Sequence, residues 1–334
     1  MKKIIYLICN VFLLNGTPSL ALSKEITIIN QLLRVEANPK KGFNYPFYIY
    51  IPNLKPEDKS RLLIIPNNSG ASDDSILFHD EAVMKESLKW RDLSEATSSI
   101  LLMPVFPRPR YQADKKTQAL EYTHALDRDT LLVKNGPLKR LDLQLIKMSD
   151  EARRIVKNKT SRILPKKFFL FGFSASAMFV NRFTFMHPEL VSAIAFGAPG
   201  GWPIAPAAQF QEKDLRYPIG IFDLEKLTGK KVDFESLKKV PFYIFLGSKD
   251  ENDSVVYRDG YEVEDEDLIF SLFGKKPVDR WVIAEKLYKE AGLNATYLLY
   301  EGIGHGTTKA INGDIIKFFN EIKDSSPTTG KQHH

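Results

Sequence analysis

One short run limits the fold of this chain more than any other: an apolar stretch that leads into Gly-Phe-Ser-Ala-Ser. Residues 168–173 are Phe-Phe-Leu-Phe-Gly-Phe, and a segment compatible with a helix, 178–183, follows Ser174 closely. An apolar run of this length predicts a buried strand, and small residues around Ser174 let a strand and a helix meet at a sharp turn. The run therefore predicts a strand–turn–helix unit that exposes the Ser174 hydroxyl.

Short apolar runs recur along the rest of the chain and alternate with segments that have helical spacing. Such segments begin at Leu141, Trp281 and Ile311. Alternation of buried strands with helices is typical of a mostly parallel sheet that helices cover on both faces. We therefore predict an α/β protein with a doubly wound sheet, whose core strands are expected at 62–65, 100–106, 168–173, 193–196, 242–246 and 296–300.

An antiparallel pair and two excursions lie outside this alternation. Residues 32–37 and 47–51, separated by a Pro-Lys-Lys-Gly turn, predict an antiparallel pair at the amino-terminal side of the sheet. Segment 202–240 contains three prolines and several aromatic residues, and we interpret it as an insertion above the sheet, either a lid or pocket wall or surface decoration. Segment 257–274 is a second, acidic excursion with the same two interpretations, and for it surface decoration is favoured.

The first residues have the three parts of a secretory signal. Two lysines follow Met1, an apolar stretch occupies residues 4–14, and small residues continue to Ala21. The apolar stretch is too short to cross a bilayer, and a short uncleaved anchor is the alternative. We expect residues 1–22 to be a signal peptide, and the protein to be secreted or periplasmic with no stable membrane insertion after cleavage.

Composition and missing motifs exclude several other classes. Residues 23–324 are long enough for one large domain, and the polar residues 325–334 predict a disordered tail. The net charge is +6, and the only cysteine, Cys9, lies in the predicted signal. The chain has no G-x-G-x-x-G and no G-x-x-x-x-G-K-[ST] motif. We expect no nucleic-acid partner, no cofactor and no metal.

Ser174 needs a base to act as a nucleophile, because a serine hydroxyl is weakly reactive at neutral pH. His305 lies in Gly-Ile-Gly-His-Gly, just after the last predicted strand. Asp250 follows the strand at 242–246, where a carboxylate can hold an imidazole in the required tautomer. We therefore predict a triad in which Ser174 is the nucleophile, His305 the base and Asp250 the acid. Asp253, three residues further on, is the alternative acid.

A serine site of this kind also needs two backbone N–H groups that stabilise the developing oxyanion. One is expected from Ala175, directly after the predicted nucleophile. The other is expected from the loop after the first core strand, Pro-Asn-Asn-Ser-Gly-Ala, where Asn68 and Ser69 are the candidates. An ordinary turn is the alternative interpretation of that loop.

These motifs resemble those of α/β-hydrolase fold serine hydrolases and, more loosely, those of secreted polyhydroxybutyrate-depolymerase and feruloyl-esterase members. The resemblance covers roughly residues 45–322 and depends on the turn at 172–176 and the loops 247–250 and 302–305. It departs from the family pattern at Ser176, where glycine is usual. The predicted oxyanion loop also lacks a His-Gly-Gly-Gly sequence, which leaves the second donor open.

The resemblance implies an α/β-hydrolase fold and an exported carboxylester hydrolase that cleaves a small-molecule or polymeric ester through an acyl-enzyme. A peptidase or an acyltransferase stays open, because a fold does not determine the acyl acceptor. A non-catalytic binding module is the alternative from another class, although all three predicted triad residues are present.

The remaining histidines and the arginines near the site receive structural interpretations. His187 resembles a residue that the family has between two core elements, and we interpret it as structural. The segment 122–129, which contains His124, is interpreted as a salt-bridged scaffold loop, with contact to substrate as the alternative. Arg108 and Arg110 are expected to be solvated, with binding of an anionic substrate as their alternative.

Overall fold

A computed structural model describes residues 27–29, 32–68, 71–110 and 122–325. The strands of this part are β1 Thr27–Ile29, β2 Leu32–Val35, β3 Phe47–Tyr50, β4 Leu62–Ile64, β5 Ile100–Pro104, β6 Phe168–Phe173, β7 Val191–Gly197, β8 Gln209–Phe210, β9 Lys213–Asp214, β10 Phe242–Gly247 and β11 Ala295–Tyr300. The α-helices are α1 Ile76–Lys89, α2 Arg91–Ala96, α3 Arg128–Leu132, α4 Leu141–Thr160, α5 Ala175–Met186, α6 Leu224–Thr228, α7 Phe234–Leu237, α8 Val263–Phe273, α9 Pro277–Glu290 and α10 Lys309–Ser325. The predicted signal peptide and residues 326–334 of the predicted tail lie outside the described residues.

Nine of the described strands form one sheet in the order β1-β2-β3-β5-β4-β6-β7-β10-β11. Neighbours from β5 to β11 are parallel, whereas β1, β2 and β3 pair antiparallel with one another and β3 pairs antiparallel with β5. The predicted core strands and the predicted antiparallel pair, β2 with β3, are therefore confirmed. β1 adds a third antiparallel strand that the sequence analysis did not include.

The side chains of β6 show why the sheet is covered on both faces. Phe168 and Leu170 belong to a buried cluster with α4, α5 and α9, whereas Phe169 and Phe171 belong to a second buried cluster with α1, α2 and α10. Successive residues of a strand point to opposite faces, so an uninterrupted apolar run needs an apolar layer on each side. This arrangement confirms the doubly wound α/β architecture.

The segment between β7 and β10 forms a separate layer near α5. It contains the β8–β9 hairpin and the short helices α6 and α7. Its Trp202 ring stacks on Phe273 of α8 with centroids 4.0 Å apart. Trp202 and Leu215 lie in the same buried apolar cluster as Ala175 and Met178 of α5.

The parallel strands all end at one edge of the sheet, and loops at that edge carry the predicted functional residues. Asn68 follows β4, Ser174 follows β6, Asp250 follows β10 and His305 follows β11. In open α/β sheets this is the edge at which ligands bind. No helix within the described ranges is long and apolar enough to cross a membrane.

Candidate active site

Ser174 occupies a strained position between β6 and α5. Its backbone has φ +60° and ψ −124°, a conformation that residues with a side chain rarely adopt. Such a conformation costs about 1–3 kcal/mol, so the surrounding structure must hold it in place. The Ser174 N–H donates to the carbonyl of Gly197 on β7 at 3.0 Å. The sharp turn predicted from the small residues around Ser174 is therefore present.

The same turn explains why glycine stands two residues before the serine. A Cβ atom on Gly172 would lie 2.4 Å from the carbonyl oxygen of Ser176, closer than any real contact of this kind. Ser176, which replaces the usual glycine, uses its hydroxyl to bond the backbone of Phe173 at 2.9 Å. Ser176 thus closes the turn with a side-chain hydrogen bond that glycine could not make.

His305 and Asp250 form a hydrogen-bonded pair. The Nδ1 atom of His305 lies 3.0 and 3.1 Å from the two carboxylate oxygens of Asp250. The Asp250 side chain is 1% exposed and that of His305 is 26% exposed, so the carboxylate is covered while the ring reaches the surface. An ionised carboxylate accepts a hydrogen bond from Nδ1–H, which leaves Nε2 as the free acceptor of the neutral ring.

Close contact between two loops brings this pair together. Lys249 donates its N–H to the carbonyl of Ile303 at 2.8 Å, and Gly302 donates its N–H to the Ser248 hydroxyl at 2.8 Å. A Cβ atom on Gly247 would lie 2.2 Å from the carbonyl oxygen of Ile303, so only glycine fits at the end of β10. These contacts fix the β10 and β11 loops to each other.

Aromatic rings lie beneath the His305 imidazole. The ring of Phe173, the residue before Ser174, lies 4.8 Å from it, and Phe245 of β10 stacks on Phe173 at 6.2 Å. The His305 ring thus contacts the residue that precedes Ser174, and the hydrogen bonds of this ring within the described residues go to Asp250. Hydrogen bonds between a base and its serine often form only once substrate is bound.

Asp253, the alternative acid, has a different partner. Its two carboxylate oxygens accept from Arg280 of α9 at 2.9 and 2.7 Å, and the pair is buried. Arg280 also donates to the carbonyls of Gly201, Gly274 and Lys275, so all five of its N–H groups have acceptors. The geometry thus gives His305 to Asp250 and leaves Asp253 in a buried ion pair.

The residues predicted to bind an oxyanion are only partly free to do so. The Ala175 N–H lies at the start of α5, next to Ser174, where helix N–H groups have no partner within the helix. The Asn68 N–H donates to Glu86 of α1 at 3.3 Å, and the Asn68 side-chain amide donates to the carbonyl of Phe173 at 2.9 Å. Ser69, the other candidate, lies outside the described residues.

Glu86 brings a carboxylate beside this loop. Burial raises the pKa of Glu86 to about 7, while the Asn68 N–H, Lys89 and Trp90 act in the opposite direction. A carboxyl group with a pKa in this range exchanges its proton near neutrality. Glu86 was not singled out from the sequence, because its contact with Asn68 joins residues that are 18 positions apart.

Two of the other described histidines, His187 and His124, have partners other than Asp250. His187 bonds the buried Asp142 at 2.8 Å, and His124 bonds the carbonyl of Phe106 at 2.8 Å. Burial lowers the pKa of His124 to about 3, so its ring is neutral in the folded protein.

Both of these arginines are paired, but only Arg108 is largely covered, at 16% exposed, whereas Arg110 is 62% exposed and so remains solvated. Arg108 bonds Asp259 at 2.6 Å and lies over the Tyr122 ring, 3.7 Å from its centroid. Arg110 pairs with Asp73. Each guanidinium group therefore already has a carboxylate beside it, which removes the reason for assigning either arginine to an anionic substrate.

Solved structures of other proteins have a similar arrangement of strands and helices. The chain resembles poly(aspartic acid) hydrolase-1 from Sphingomonas sp. KT-1, with a TM-score of 0.52 and 18% identity over 84% of this chain and 94% of the other. It also resembles a poly(3-hydroxybutyrate) depolymerase from Bordetella parapertussis, with a TM-score of 0.51 and 15% identity over 89% of this chain and 90% of the other. No family model and no curated protein matches the sequence.

At these identities the comparison establishes the fold. The sheet order, the helices on both faces and the strained serine between β6 and α5 define the class of protein: the chain has the α/β-hydrolase fold. The fold that the sequence motifs implied is therefore confirmed. The fold does not determine the activity, which must be inferred from the residues at the carboxyl edge of the sheet.

Proposed function

We propose that this protein is an exported serine hydrolase that cleaves carboxylic esters through an acyl-enzyme. Ser174 is the nucleophile, His305 the general base and acid, and Asp250 the residue that orients His305. The observation that carries the proposal is the Asp250–His305 hydrogen bond, with the His305 ring against Phe173, the residue before a serine held at φ +60°. The signal-like amino terminus supports export.

In the first half of the proposed reaction, the Ser174 oxygen attacks the ester carbonyl carbon while Nε2 of His305 takes the hydroxyl proton. The tetrahedral oxyanion accepts a hydrogen bond from the Ala175 N–H. When the intermediate collapses, the bond to the alkoxide leaving group breaks and His305 gives its proton to that oxygen. The alcohol leaves and the acyl group stays on Ser174.

In the second half, water replaces the alcohol. His305 takes a proton from the water as its oxygen attacks the acyl carbon, and it returns the proton to Ser174 when the acid product departs. Asp250 stays ionised throughout and stabilises the imidazolium that forms twice in the cycle. No metal or cofactor takes part in either half.

The second oxyanion donor depends on the loop after β4. The Asn68 N–H can serve only if it turns from the Glu86 carboxylate toward the site, because it donates to Glu86 in this structure. We propose that substrate binding makes this exchange when Glu86 is protonated, since a developing oxyanion is a stronger acceptor than a neutral carboxyl group. The side chain of Asn68 keeps the loop attached to Phe173 meanwhile.

We propose that segment 202–240 is a fixed pocket wall rather than a mobile lid. Trp202 and Leu215 are fully buried beside Ala175, and the Trp202 indole N–H donates to the carbonyl of Ile219 at 2.8 Å. A segment with this much buried apolar surface does not open at low cost.

The proposal is tested by labelling the purified protein with a fluorophosphonate, which reacts only with an activated serine. Wild type is expected to be labelled rapidly, and Ser174→Ala to lose both labelling and ester hydrolysis while keeping its fold by circular dichroism. Ser271→Ala, an exposed serine on α8, is the matched control and is expected to behave as wild type. Labelling that persists in Ser174→Ala would assign the nucleophile elsewhere.

A substrate panel then separates the acyl acceptors. p-Nitrophenyl esters of increasing chain length are compared with matched p-nitroanilides, and poly(3-hydroxybutyrate) and poly(aspartic acid) are included because proteins of similar fold act on them. Faster turnover of anilides than of esters would replace the esterase with a peptidase. Rapid labelling without turnover of either would favour an acyltransferase.

A further inference from the structure

The amino edge of the sheet, opposite Ser174, carries a concentrated positive charge. Residues 152–167 contain seven lysines and arginines and no acidic residue. Arg153 and Arg154 pair with carboxylates of their own helix, α4. In the described part of the chain the other five cations have no carboxylate partner; they are Lys157, Lys159, Arg162, Lys166 and Lys167. The modest net charge of the whole chain conceals this concentration.

Two chain segments are held together to form this surface. Arg162 donates to the backbone carbonyls of Asp58 and Lys55, which lie between β3 and β4. Arg153 donates to the carbonyl of Lys166 at 2.8 Å and so fixes the chain after α4. The basic patch, defined as Lys55 together with the five unpaired cations, is therefore built on ordered backbone and not on a loose loop.

An exposed apolar side chain lies within the basic sequence segment. Ile163 is 81% exposed, the largest exposure among the described large hydrophobic residues, and it lies between Arg162 and Lys166 in the chain. An exposed aliphatic group that has cations before and after it in the chain matches the interface of an anionic bilayer, where the charges meet headgroups and the side chain enters the acyl boundary. A dissolved polyanion gives the isoleucine nothing to contact.

We propose that the basic patch docks this protein on membrane surfaces that contain anionic lipid headgroups. Binding is peripheral: cations at the amino edge of the sheet contact the headgroups and Ile163 enters the interface. The proposal does not depend on the proposed hydrolase activity.

The position of the patch determines how a docked molecule is oriented. Lys166 and Lys167 come directly before β6, and Ser174 comes directly after it. A strand of six residues is about 20 Å long, so the patch and the serine lie at opposite ends of the same strand. A molecule docked by the patch therefore holds Ser174 away from the bilayer, open to substrates in solution.

Vesicle co-sedimentation tests the proposal with the full chain. Phosphatidylglycerol mixed with phosphatidylcholine is expected to pellet the protein at about 0.15 M salt, whereas pure phosphatidylcholine is not. Binding is expected to fall steeply toward about 1 M salt, because the attraction is electrostatic. Equal binding to both vesicle types, or binding that salt leaves unchanged, would overturn the proposal.

Matched variants identify the surface. Lys166→Glu/Lys167→Glu is expected to lower the partition coefficient at least about tenfold. Lys213→Glu/Lys275→Glu carries the same charge change on exposed residues outside the patch and is expected to lose much less. Ile163→Ser tests the apolar contact and is expected to weaken binding without changing its salt dependence.

All variants keep Ser174, His305 and Asp250, so each is expected to hydrolyse a soluble ester at the wild-type rate. This turnover also serves as the control that each variant is folded. Equal losses in the two charge-reversal variants would mean that net charge, and not this patch, binds the vesicle. Tighter binding to a dissolved single-stranded nucleic acid than to the vesicles would replace the membrane with a soluble polyanion.

Discussion

Two aspartates in one loop, three residues apart, have opposite surroundings. Asp250 and Asp253 are both 4% exposed. Asp250 bonds His305, whose side chain is 26% exposed. Asp253 bonds Arg280, which is 1% exposed and always charged. Burial does not distinguish Asp250 from Asp253, because both are buried. The difference lies in the partner, since histidine is a residue type that can gain and lose a proton and arginine is not.

The two carboxylate pairs contribute to different properties of the protein, one to the proposed reaction and the other to stability. In the proposed mechanism the Asp250 pair changes its protonation during the reaction, so its energy would enter the rate. The Asp253 pair cannot, and its five satisfied N–H groups instead attach the loop to α9 and to Gly201. Removal of one partner from such a pair leaves a buried charge without compensation, so its energy enters folding.

The largest expected effect comes from exchanging each carboxylate for an amide. Asp250→Asn is expected to lower kcat by about 10⁴, because the imidazole loses its orienting acceptor and adopts the wrong tautomer. Its urea unfolding midpoint is expected to stay near that of wild type. Asp253→Asn is expected to keep kcat within about tenfold of wild type where it is folded. Reversed kinetic losses would transfer the catalytic role to Asp253.

A smaller effect is expected when the buried ion pair itself is dismantled. Arg280→Met alone is expected to cost about 3–5 kcal/mol in the free energy of unfolding, because Asp253 stays behind as an unpaired buried charge. The double variant Asp253→Leu/Arg280→Met is expected to recover much of that loss, since no charge remains buried. Denaturant unfolding measures both. If the double variant were no more stable than the single one, the loss of stability would come from the hydrogen bonds of Arg280 to backbone carbonyls and not from the unpaired charge of Asp253.

The smallest expected effect concerns Glu86, a carboxyl group whose hydrogen-bond donor is the neutral N–H of Asn68. Because its pKa is raised to about 7 in the folded protein, folding takes up a proton there and stability falls as pH rises from about 4.5 to 7. Glu86→Gln keeps an acceptor for Asn68 and removes this loss.

The Glu86→Gln variant is therefore expected to be more stable than wild type by about 1–2 kcal/mol at pH 8 and equal to it at pH 4. Thermal unfolding across this pH range measures the difference, and Glu81→Gln, an exposed position on the same helix, is the control. If Glu86→Gln were no more stable than wild type at pH 8, the Glu86 carboxyl group would be solvated and its pKa would not be raised by burial.

Local pattern was enough to predict the strands and the serine turn. β6 needs an apolar residue at every position because helices cover both its faces, and the turn needs Gly172 because a Cβ there meets Ser176. In both cases the requirement determines the residue types within the segment itself, although the helices that cover β6 are distant in the chain. Its signature is therefore visible in a single sequence.

The choice between Asp250 and Asp253 could not be predicted in the same way. Arg280, the partner of Asp253, lies 27 residues away on another element, and nothing in the loop indicates it. Glu86 was missed for the same reason, since only folding brings it to Asn68. The antiparallel strand β1 and the pairing of Arg108 with Asp259 likewise depend on segments that are distant in the chain or at its end.

The rings beneath His305 have a consequence for the way the imidazole is supported. Gly197 lacks a side chain, and a Cβ there would lie 2.1 Å from the Phe245 ring, so Phe245 can press against β7 and support Phe173. The Phe173 and His305 rings are tilted by 45°, and a dispersion contact of this kind constrains orientation less than a hydrogen bond does. Phe173 therefore supports the imidazole on one side, while the hydrogen bond to Asp250 sets its orientation on the other. In the proposed mechanism, support of this kind would suit a base that must reach first the serine oxygen and then a leaving group a short distance away.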